Sequence, residues 1–540
     1  MYNNDSQLSL FGFGHQSRLS MHLYPNESQL ISYSNDFDTG YKTIFDPIHG
    51  NMTFPKIMWD IIDTPQFQRL RNLKQLSTSH FIYMGNNHTR FEHCLGTGFL
   101  SRDLIYRCFD IIKKNKKKTN SPIDKNEINY LKQCVSIAGL CHDIGHGPFS
   151  HSFDSIINSL GLEGEWDHEE FGGKIIQYLI DENHIEGIDE DKLKMINSLI
   201  DGTNLHNSEY NWIYQIVANK ENSIDVDKFD YIQRDIYHSG VKTLSVDYQR
   251  IFGDINIIND NICFSEKTDM SLHSLFEARY CLHNKIYNHP DSICVESMVK
   301  DALLLSNEYF KFEEAIKSPE KFIKLDDNIL DIILTFSLNP EEEINSNKKL
   351  LEAERIIKRL YNRELYTIIG EIPIPLGREE KPNIQDFLCS ENPKDENYLE
   401  EKDIELRKKT INFGFKNKNP FETIYFYNPK RPNECFKKSM EHLLVMPQVF
   451  SESTILVFCK DNKKNERARK LFEIYKNKLF NKWNNIESPK EKKSKIIGKQ
   501  LFFDEKEEKN LQTPKFGGGS ILKNKRERGE KYSEFIDKEE

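Results

Sequence analysis

The residues best suited to chemistry crowd into one stretch of this chain. Between Gly139 and Asp154, the run GLCHDIGHGPFSHSFD holds three histidines, two aspartates, three glycines and a proline in 16 residues. The His142–Asp143 dipeptide alone means little, because about one such pair is expected by chance in 540 residues with 17 histidines. Its surroundings carry the signal. Gly145, Gly147 and Pro148 end one helix just past the pair and start another, so imidazole and carboxylate project together at a helix junction. His142 and His146 stand four residues apart, and His151 and Asp154 three, spacings that make neighbours on a helix face. A carboxylate beside an imidazole orients the ring and raises its basicity, as a proton donor requires.

Two other stretches add to this. His93 in TRFEHCLGTG, beside Phe and Leu, reads by itself as an ordinary packed histidine. In IDVDKFDYIQRD, Asp227, Tyr231 and Asp235 fall at i, i+4 and i+8, which is one stripe of a helix. Val226, Phe229 and Ile232 or Ile236 lie on other faces and supply packing. A carboxylate for a metal, a ring for a sugar and a carboxylate for a hydroxyl would make a nucleoside pocket, with Lys228 beside them for phosphate.

The elements that must position these groups follow from composition and periodicity. A length of 540 residues predicts two or more structural units, and 38% hydrophobic with 11% aromatic residues is ample for burial. A net charge of -10 argues against wholesale electrostatic binding to nucleic acid or lipid, although 74 Lys and Arg leave room for local basic patches. No apolar run approaches the roughly 18–20 residues of a membrane span, and the polar N-terminus shows no secretory signal. The 10 scattered cysteines read as reduced thiols, so nucleus or cytoplasm is expected. Residues 1–40, rich in Ser, Asn and Gly, read as a flexible tail. Residues 41–310 read as a helical core: Thr64 caps a helix with Pro65 at its first position, and Phe67, Leu70 and Leu73 recur at a helical interval. A charged connection over 111–126 precedes helices from about Glu127 to His142 and from just after Pro148. Residues 311–480, with LYTIIGEIPIP, TIYFYNP and STILVFCK, read as an α+β lobe, and 481–540 as a charged, mostly disordered tail. The expected fold is mainly α with a smaller α+β C-terminal lobe.

In chain order, His93, His142–Asp143 and Asp227 match the H…HD…D pattern of the HD superfamily of metal-dependent phosphohydrolases. With DPIHG, IIDTPQFQRLRNLKQL, NHTRFEHCLGTG, AGLCHDIGHGPFSH, IDVDKFDYIQRD and FEARYCLHNKIYNH, the chain resembles the dNTP triphosphohydrolases of that superfamily, most closely the vertebrate SAM-and-HD-domain type. The likeness runs from about residue 41 to 310, and more thinly to about 460; no SAM domain fits into the first 40 residues.

The resemblance implies a divalent metal (Zn, Fe or Mn) on His93, His142, Asp143 and Asp227, with Mg accompanying the nucleotide. It implies hydrolysis at the α-phosphate to deoxynucleoside and triphosphate, with His146, His151, His168 and Asp154 as the active-site acid and phosphate-contacting groups. Arg90 and Lys228 match triphosphate positions; Arg279, His283 and Tyr287 a substrate-lining helix; Tyr231 and Asp235 the sugar; Gln75 and Leu76 the pair that crowds C2′. An apolar Leu76 there leaves a 2′-hydroxyl without a partner. Lys42, Asp63, Gln68 and Arg71 match an activating GTP site. The neighbouring dNTP-activator site is only partly matched: Arg250 and Lys267 are present, Lys437 or Lys438 is a loose fit, and Phe45, Ser265 and Ser271 depart from the family pattern. The family assembles from dimer to tetramer.

Two other readings share these features. Another HD activity, a nuclease or phosphodiesterase, would use the same metal site, since ligands do not set substrate. A nucleotide sensor binding single-stranded nucleic acid would draw on the lysines at 113–118 and the basic run KNKRERGEK at 523–531. Thr513–Pro514 is a minimal proline-directed phosphorylation signature.

Overall fold

The computed structural model describes residues 40–116, 124–204, 210–242, 246–395, 397–439 and 445–485. Both expected tails, with Thr513 and the run at 523–531, lie outside these residues apart from Gly40 and 481–485, as do Lys117 and Lys118.

A hairpin opens the described chain, β1 (Lys42–Asp46) pairing antiparallel with β2 (Gly50–Phe54). Its turn is DPIHG: Asp46 Oδ1 accepts from the backbone N–H of Ile48 (2.8 Å) and His49 (2.9 Å), which turns the His49 ring inward. Thr64 then caps through its hydroxyl, accepting from Phe67 N at 3.3 Å, with Pro65 at the first helical position as expected. Phe67, Leu70 and Leu73 are fully buried, but on a short α-turn followed by a 3₁₀ turn (Arg69–Asn72) instead of one helix. That tightening carries Arg69 inward, where Nε donates to Leu325 O (2.9 Å) and Nη2 to His146 O (2.8 Å).

The helices that hold the cleft are α1 (Arg90–Lys116), α2 (Lys125–Cys141), α3 (His151–Ser159), α4 (His168–Glu182), α5 (Val226–Ser239), α6 (Asp269–Leu282) and α7 (Pro290–Phe310). Their ends are written in the sequence. Asp124, Asp167 and Asp225 cap α2, α4 and α5 through their carboxylates, and Gly240 ends α5 in the left-handed conformation. α1 packs against α2 and α5 in the largest apolar cluster. No helix among the described residues is long and apolar enough to cross a membrane.

The chain between residues 312 and 361, expected in the second lobe, is helical; α8 (Lys348–Tyr361) lies along α7 and buries Leu350, Ile356, Ile357 and Leu360 in the same cluster. The α+β portion begins at β5 (Thr367–Ile374), which with β9 (Ser451–Cys459) and β6 (Ile404–Asn412) forms an antiparallel sheet in the order β5-β9-β6. Helix α9 (Asn465–Asn485) covers it with Leu471, Phe472 and Tyr475, making a second apolar cluster.

A hairpin that periodicity did not flag pairs with the strand expected in TIYFYNP. β3 (Ile255–Ile258) and β4 (Asn261–Ser265) form a hairpin inside the helical region, turned by Asn259 and Asp260, both at positive φ (50° and 61°). β7 (Tyr425–Asn428) adds to β4 in parallel, Phe264 opposite Phe426, and β8 (Arg431–Lys437) completes the order β3-β4-β7-β8. β3 and β4, at four and five residues, give too little alternation to announce themselves.

The crossing of α1 and α5 depends on Gly96. A Cβ there would lie 1.8 Å from Asp230 Oδ1 and 2.7 Å from Arg234 Nη2. We expect Gly96→Ala to destabilise the protein by about 1–3 kcal/mol, read as a drop of a few degrees in the thermal unfolding midpoint. An unchanged midpoint would show that the helices part freely at this point.

Candidate metal centre and cleft

His93 sits one turn into α1, His142 and Asp143 just past the end of α2, and Asp227 in the first turn of α5, so three helix ends meet. Donor atoms of His93, His142 and Asp143 lie within 4.8 Å of one another. The two Nε2 atoms face each other at 3.1 Å. Asp143 approaches them at 3.6 and 3.4 Å, and Asp227 Oδ1 at 3.0 and 3.5 Å. Each ring is held from behind through Nδ1, His93 donating to Asp230 Oδ2 (2.6 Å) and His142 to Gly139 O (3.0 Å). Both Nε2 lone pairs are thereby turned on one point already flanked by carboxylate oxygens, an arrangement that suits a divalent cation. The electrostatics agree. Burial opposes charge on His93, but the carboxylates of Asp227, Asp230 and Asp143 outweigh it and push its pKa up to about 10. His142 is likewise raised against burial by Asp143 and Asp227. The site attracts more positive charge than its side chains normally carry.

Behind it lies a group that the sequence reading missed. Asp230 accepts from His93, from His49 Nε2 (2.6 Å) and from Arg234 Nε and Nη2 (2.9 and 2.8 Å), while Arg234 also donates to Asp46 Oδ2 (2.9 Å). Asp230 and Arg234 are fully buried. Burial works against the Asp230 carboxylate, but Arg234, His49 and His93 hold its pKa well below the usual range. The available signal was Arg234 four residues after Asp230, beside the Asp227–Tyr231–Asp235 stripe on the same helix, together with DPIHG.

His146, His151 and His168 form a second cluster. His146 stacks on His168 with ring centroids 4.3 Å apart, and its Nε2 lies 3.3 Å from Asp143. Burial and Arg90 push His146 well below its ordinary pKa. Asp154 Oδ2 faces both His151 Nδ1 (3.3 Å) and His168 Nδ1 (3.6 Å), and its Oδ1 accepts from Trp166 Nε1 (3.0 Å). Gly145 lets the loop approach α4, since a Cβ there would stand 2.0 Å from His168 O. Arg90 donates to Asp143 and, through Nε at 2.8 Å, to Ser150 Oγ.

These groups line a cleft of about 780 Å³. Gln75, Leu76, Arg90, His142, Asp143, His146, His151, His168, Asp227, Lys228, Tyr231, Asp235, Arg279, His283 and Tyr287 all face it. His93 and Asp154 stand behind its wall. Lys228 is paired with Asp225 (3.2 Å), and Arg279 donates to Asn412 O (3.0 Å) while its buried Nε has no partner among the described residues. Asp235 accepts from Tyr287 and from His88 Nε2 (2.8 Å). Burial, with Arg279 and Lys228, pushes His283 down to about 3.

Away from the cleft, Lys42 pairs with Asp63 at 3.3 Å, both largely exposed. Arg71 donates to Gln68 Oε1 (2.7 Å) and lies 3.6 Å over the Phe91 ring. Arg250 Nη2 reaches Lys267 O at 3.3 Å, Phe45 is exposed, Lys438 pairs with Asp269 (2.6 Å), and Lys437 lies over Tyr425.

The HD domain family matches residues 90–235. The chain is 36% identical over 451 residues to "Deoxynucleoside triphosphate triphosphohydrolase SAMHD1 homolog" of Dictyostelium discoideum, covering 82% of this chain and 83% of that protein. It is 32% identical over 474 residues to "Deoxynucleoside triphosphate triphosphohydrolase SAMHD1" of Homo sapiens, 80% of this chain and 72% of the relative. It is also 31% identical over 441 residues to "Putative HD domain-containing protein L394" of Acanthamoeba polyphaga mimivirus, 79% and 93%.

Asp230→Asn puts an N–H where a carboxylate oxygen accepted. We expect metal affinity to fall about 10–100-fold, read by metal content after dialysis against a chelator. Because the folded pKa of Asp230 lies well below its ordinary 3.8, the unfolded chain takes up a proton below that pH that the folded one refuses. Its stabilisation is present above about pH 4 and is lost as the pH falls. In the variant, stability should decline less steeply in acid, by up to about 1.4 kcal/mol per pH unit; an identical slope would mean Asp230 is not ionised in the fold.

Proposed function

This chain belongs to the HD-domain deoxynucleoside triphosphate triphosphohydrolase family, and from that premise we propose how its cleft hydrolyses dNTPs to deoxynucleoside and inorganic triphosphate. The observation that carries the proposal is the convergence of His93, His142 and Asp143 at the base of a cleft walled by the Asp227–Tyr231–Asp235 stripe. Asp227 is proposed as the fourth ligand, and Zn, Fe or Mn as the ion. The bound ion supplies Lewis acidity toward the α-phosphate and the attacking water.

The side chains do the rest. Arg90, held by Asp143 and Ser150, presents fixed positive charge to the triphosphate, joined by Lys228 and by Arg279, whose unpartnered Nε suits a phosphate oxygen. His151 and His168, sharing Asp154, are placed to protonate the departing 5′ oxygen. Tyr231 offers its ring to the sugar. Asp235, oriented by Tyr287 and His88, accepts from the 3′-hydroxyl. His283 stays neutral, so it adds no charge to the nucleoside end. Leu76 faces C2′ and gives a ribonucleotide hydroxyl no partner, which costs about 1–3 kcal/mol, or roughly 5–150-fold in selectivity.

We further propose that Lys42, Asp63, Gln68 and Arg71 bind GTP as an activator: Asp63 accepts from the guanine edge and the two basic groups meet phosphate. Activation would assemble dimers into tetramers; Arg250 and Lys267 mark a partly matched second nucleotide site. The proposed role is control of dNTP pools in the nucleus or cytoplasm, supported by all 10 cysteines being unpaired, as in a reducing compartment.

Purified protein incubated with dGTP alone, or with dATP with and without GTP, should yield deoxynucleoside and triphosphate by ion-exchange chromatography, and His142→Ala should abolish both. Diphosphate or pyrophosphate as product would place the attack at another phosphorus. Asp63→Ala should raise the GTP concentration for half-activation of dATP hydrolysis at least tenfold, about 1.4 kcal/mol; an unchanged half-activation concentration would remove Asp63 from the activator site.

A further inference from the structure

The backbone is strained on both sides of the cleft. Phe149 and Ser150, consecutive and neither glycine, have φ of 58° and 56°, and across the cleft Ser77, directly after Leu76, has φ of 50°. Non-glycine residues stay in this region only when their surroundings over-determine them. The segment Leu325–Asp327, some ninety residues past the matched HD segment, supplies what is needed. Asp327 Oδ1 accepts from Phe149 N at 2.7 Å, and its Oδ2 from Lys74 N at 2.8 Å. Its own N–H donates to Asn72 O (3.2 Å), and Asp326 accepts from Asn72 Nδ2 (2.8 Å). Leu325 O accepts from Arg69, whose other arm reaches His146 O. One carboxylate thus ties the loop carrying His146, Ser150 and His151 to the segment carrying Gln75 and Leu76, beside two further direct links, Arg69 Nη2 to His146 O at 2.8 Å and Ser77 Oγ to Ser152 Oγ at 3.2 Å.

We infer that Asp327 is a positioning residue of the triphosphohydrolase: it sets the distance between the phosphate side of the cleft and the wall that excludes the 2′-hydroxyl. It is not among the residues that line the cleft. Both backbone N–H groups need an acceptor, and a carboxyl group, with one oxygen facing each N–H, is the side chain that serves both. An asparagine can serve one and turns a donor on the other. The inference rests on the reading of Leu76 as the 2′ wall, so both must be tested together.

The test compares dATP and ATP hydrolysis, with GTP present, for the wild type, Leu76→Ala, Asp327→Asn and Asp326→Asn. Asp327→Asn should lower kcat for dATP at least tenfold with KM changed less than threefold. It should also lose at least fivefold of the dATP-over-ATP selectivity, as Leu76→Ala does, while Asp326→Asn keeps both. A merely structural role would lower the active fraction and leave selectivity intact. If Asp327→Asn does not fold, Asp327→Glu, which keeps the carboxyl group but displaces the oxygens, is measured with the same expectation. Selectivity altered by Leu76→Ala but not by the Asp327 variant overturns the inference. Selectivity indifferent to Leu76→Ala overturns the reading of the wall instead.

Discussion

Everything in the cleft depends on a charge placed where charge is costly. Asp230 is buried without solvent, and a lone carboxylate there would be excluded from the fold. It is tolerated because His93, His49 and Arg234 fill its acceptor positions and Asp46 takes the second face of Arg234. The same bonds determine geometry. They fix the tautomer and tilt of His93, join the hairpin at β1–β2 to α5, and require α1 and α5 to approach as closely as a glycine allows. Such a network adds little stability over an apolar packing, but it permits few alternatives, and that exactness of position is what a metal ligand needs.

A second constraint acts on the loop after α2. His142 and Asp143 belong to a helix end, whereas His146 and His151 must reach the same space from the other side. The chain manages this within ten residues by turning sharply, with left-handed φ at Phe149 and Ser150 and with glycine where α4 presses close. Arg90 then bridges the two halves through Asp143 and Ser150. The cleft is therefore assembled from separated stretches of the chain, and His142, Asp143 and His146 lie in the turn between two helices.

This division explains what could be read from residue order. The helical core, the caps at Thr64, the breaks at Gly145 and Pro148, and the α5 stripe are local patterns, and the structure reproduces them. The convergence of His93, His142, Asp143 and Asp227 was legible only through the resemblance, because periodicity says nothing about which helix ends meet. Asp230, Arg234 and His49 escaped for a related reason: each is an ordinary polar residue until its distant partner is known. The hairpin at Ile255–Ser265 escaped because its strands are short, although the Asn259–Asp260 turn between β-branched runs was a usable sign. The helices of 312–361 fall within the expected α+β lobe, and their apolar residues share one cluster with both the helical core and Phe413, Phe426 and Phe458.

The parallel pairing of β4 with β7 bears on how the chain is made. Phe264 meets Phe426 across a gap of about 160 residues. During synthesis at about 5–20 residues per second, the open edge of β4 waits roughly ten to thirty seconds for its neighbour to leave the ribosome. Through that interval the helices carrying His93 and Asp227 already exist beside an unsatisfied strand, the sort of edge that recruits other chains. Nascent protein should thus lean on chaperones most heavily just after the cleft helices have emerged, and the shortness of the β3–β4 hairpin limits the hazard.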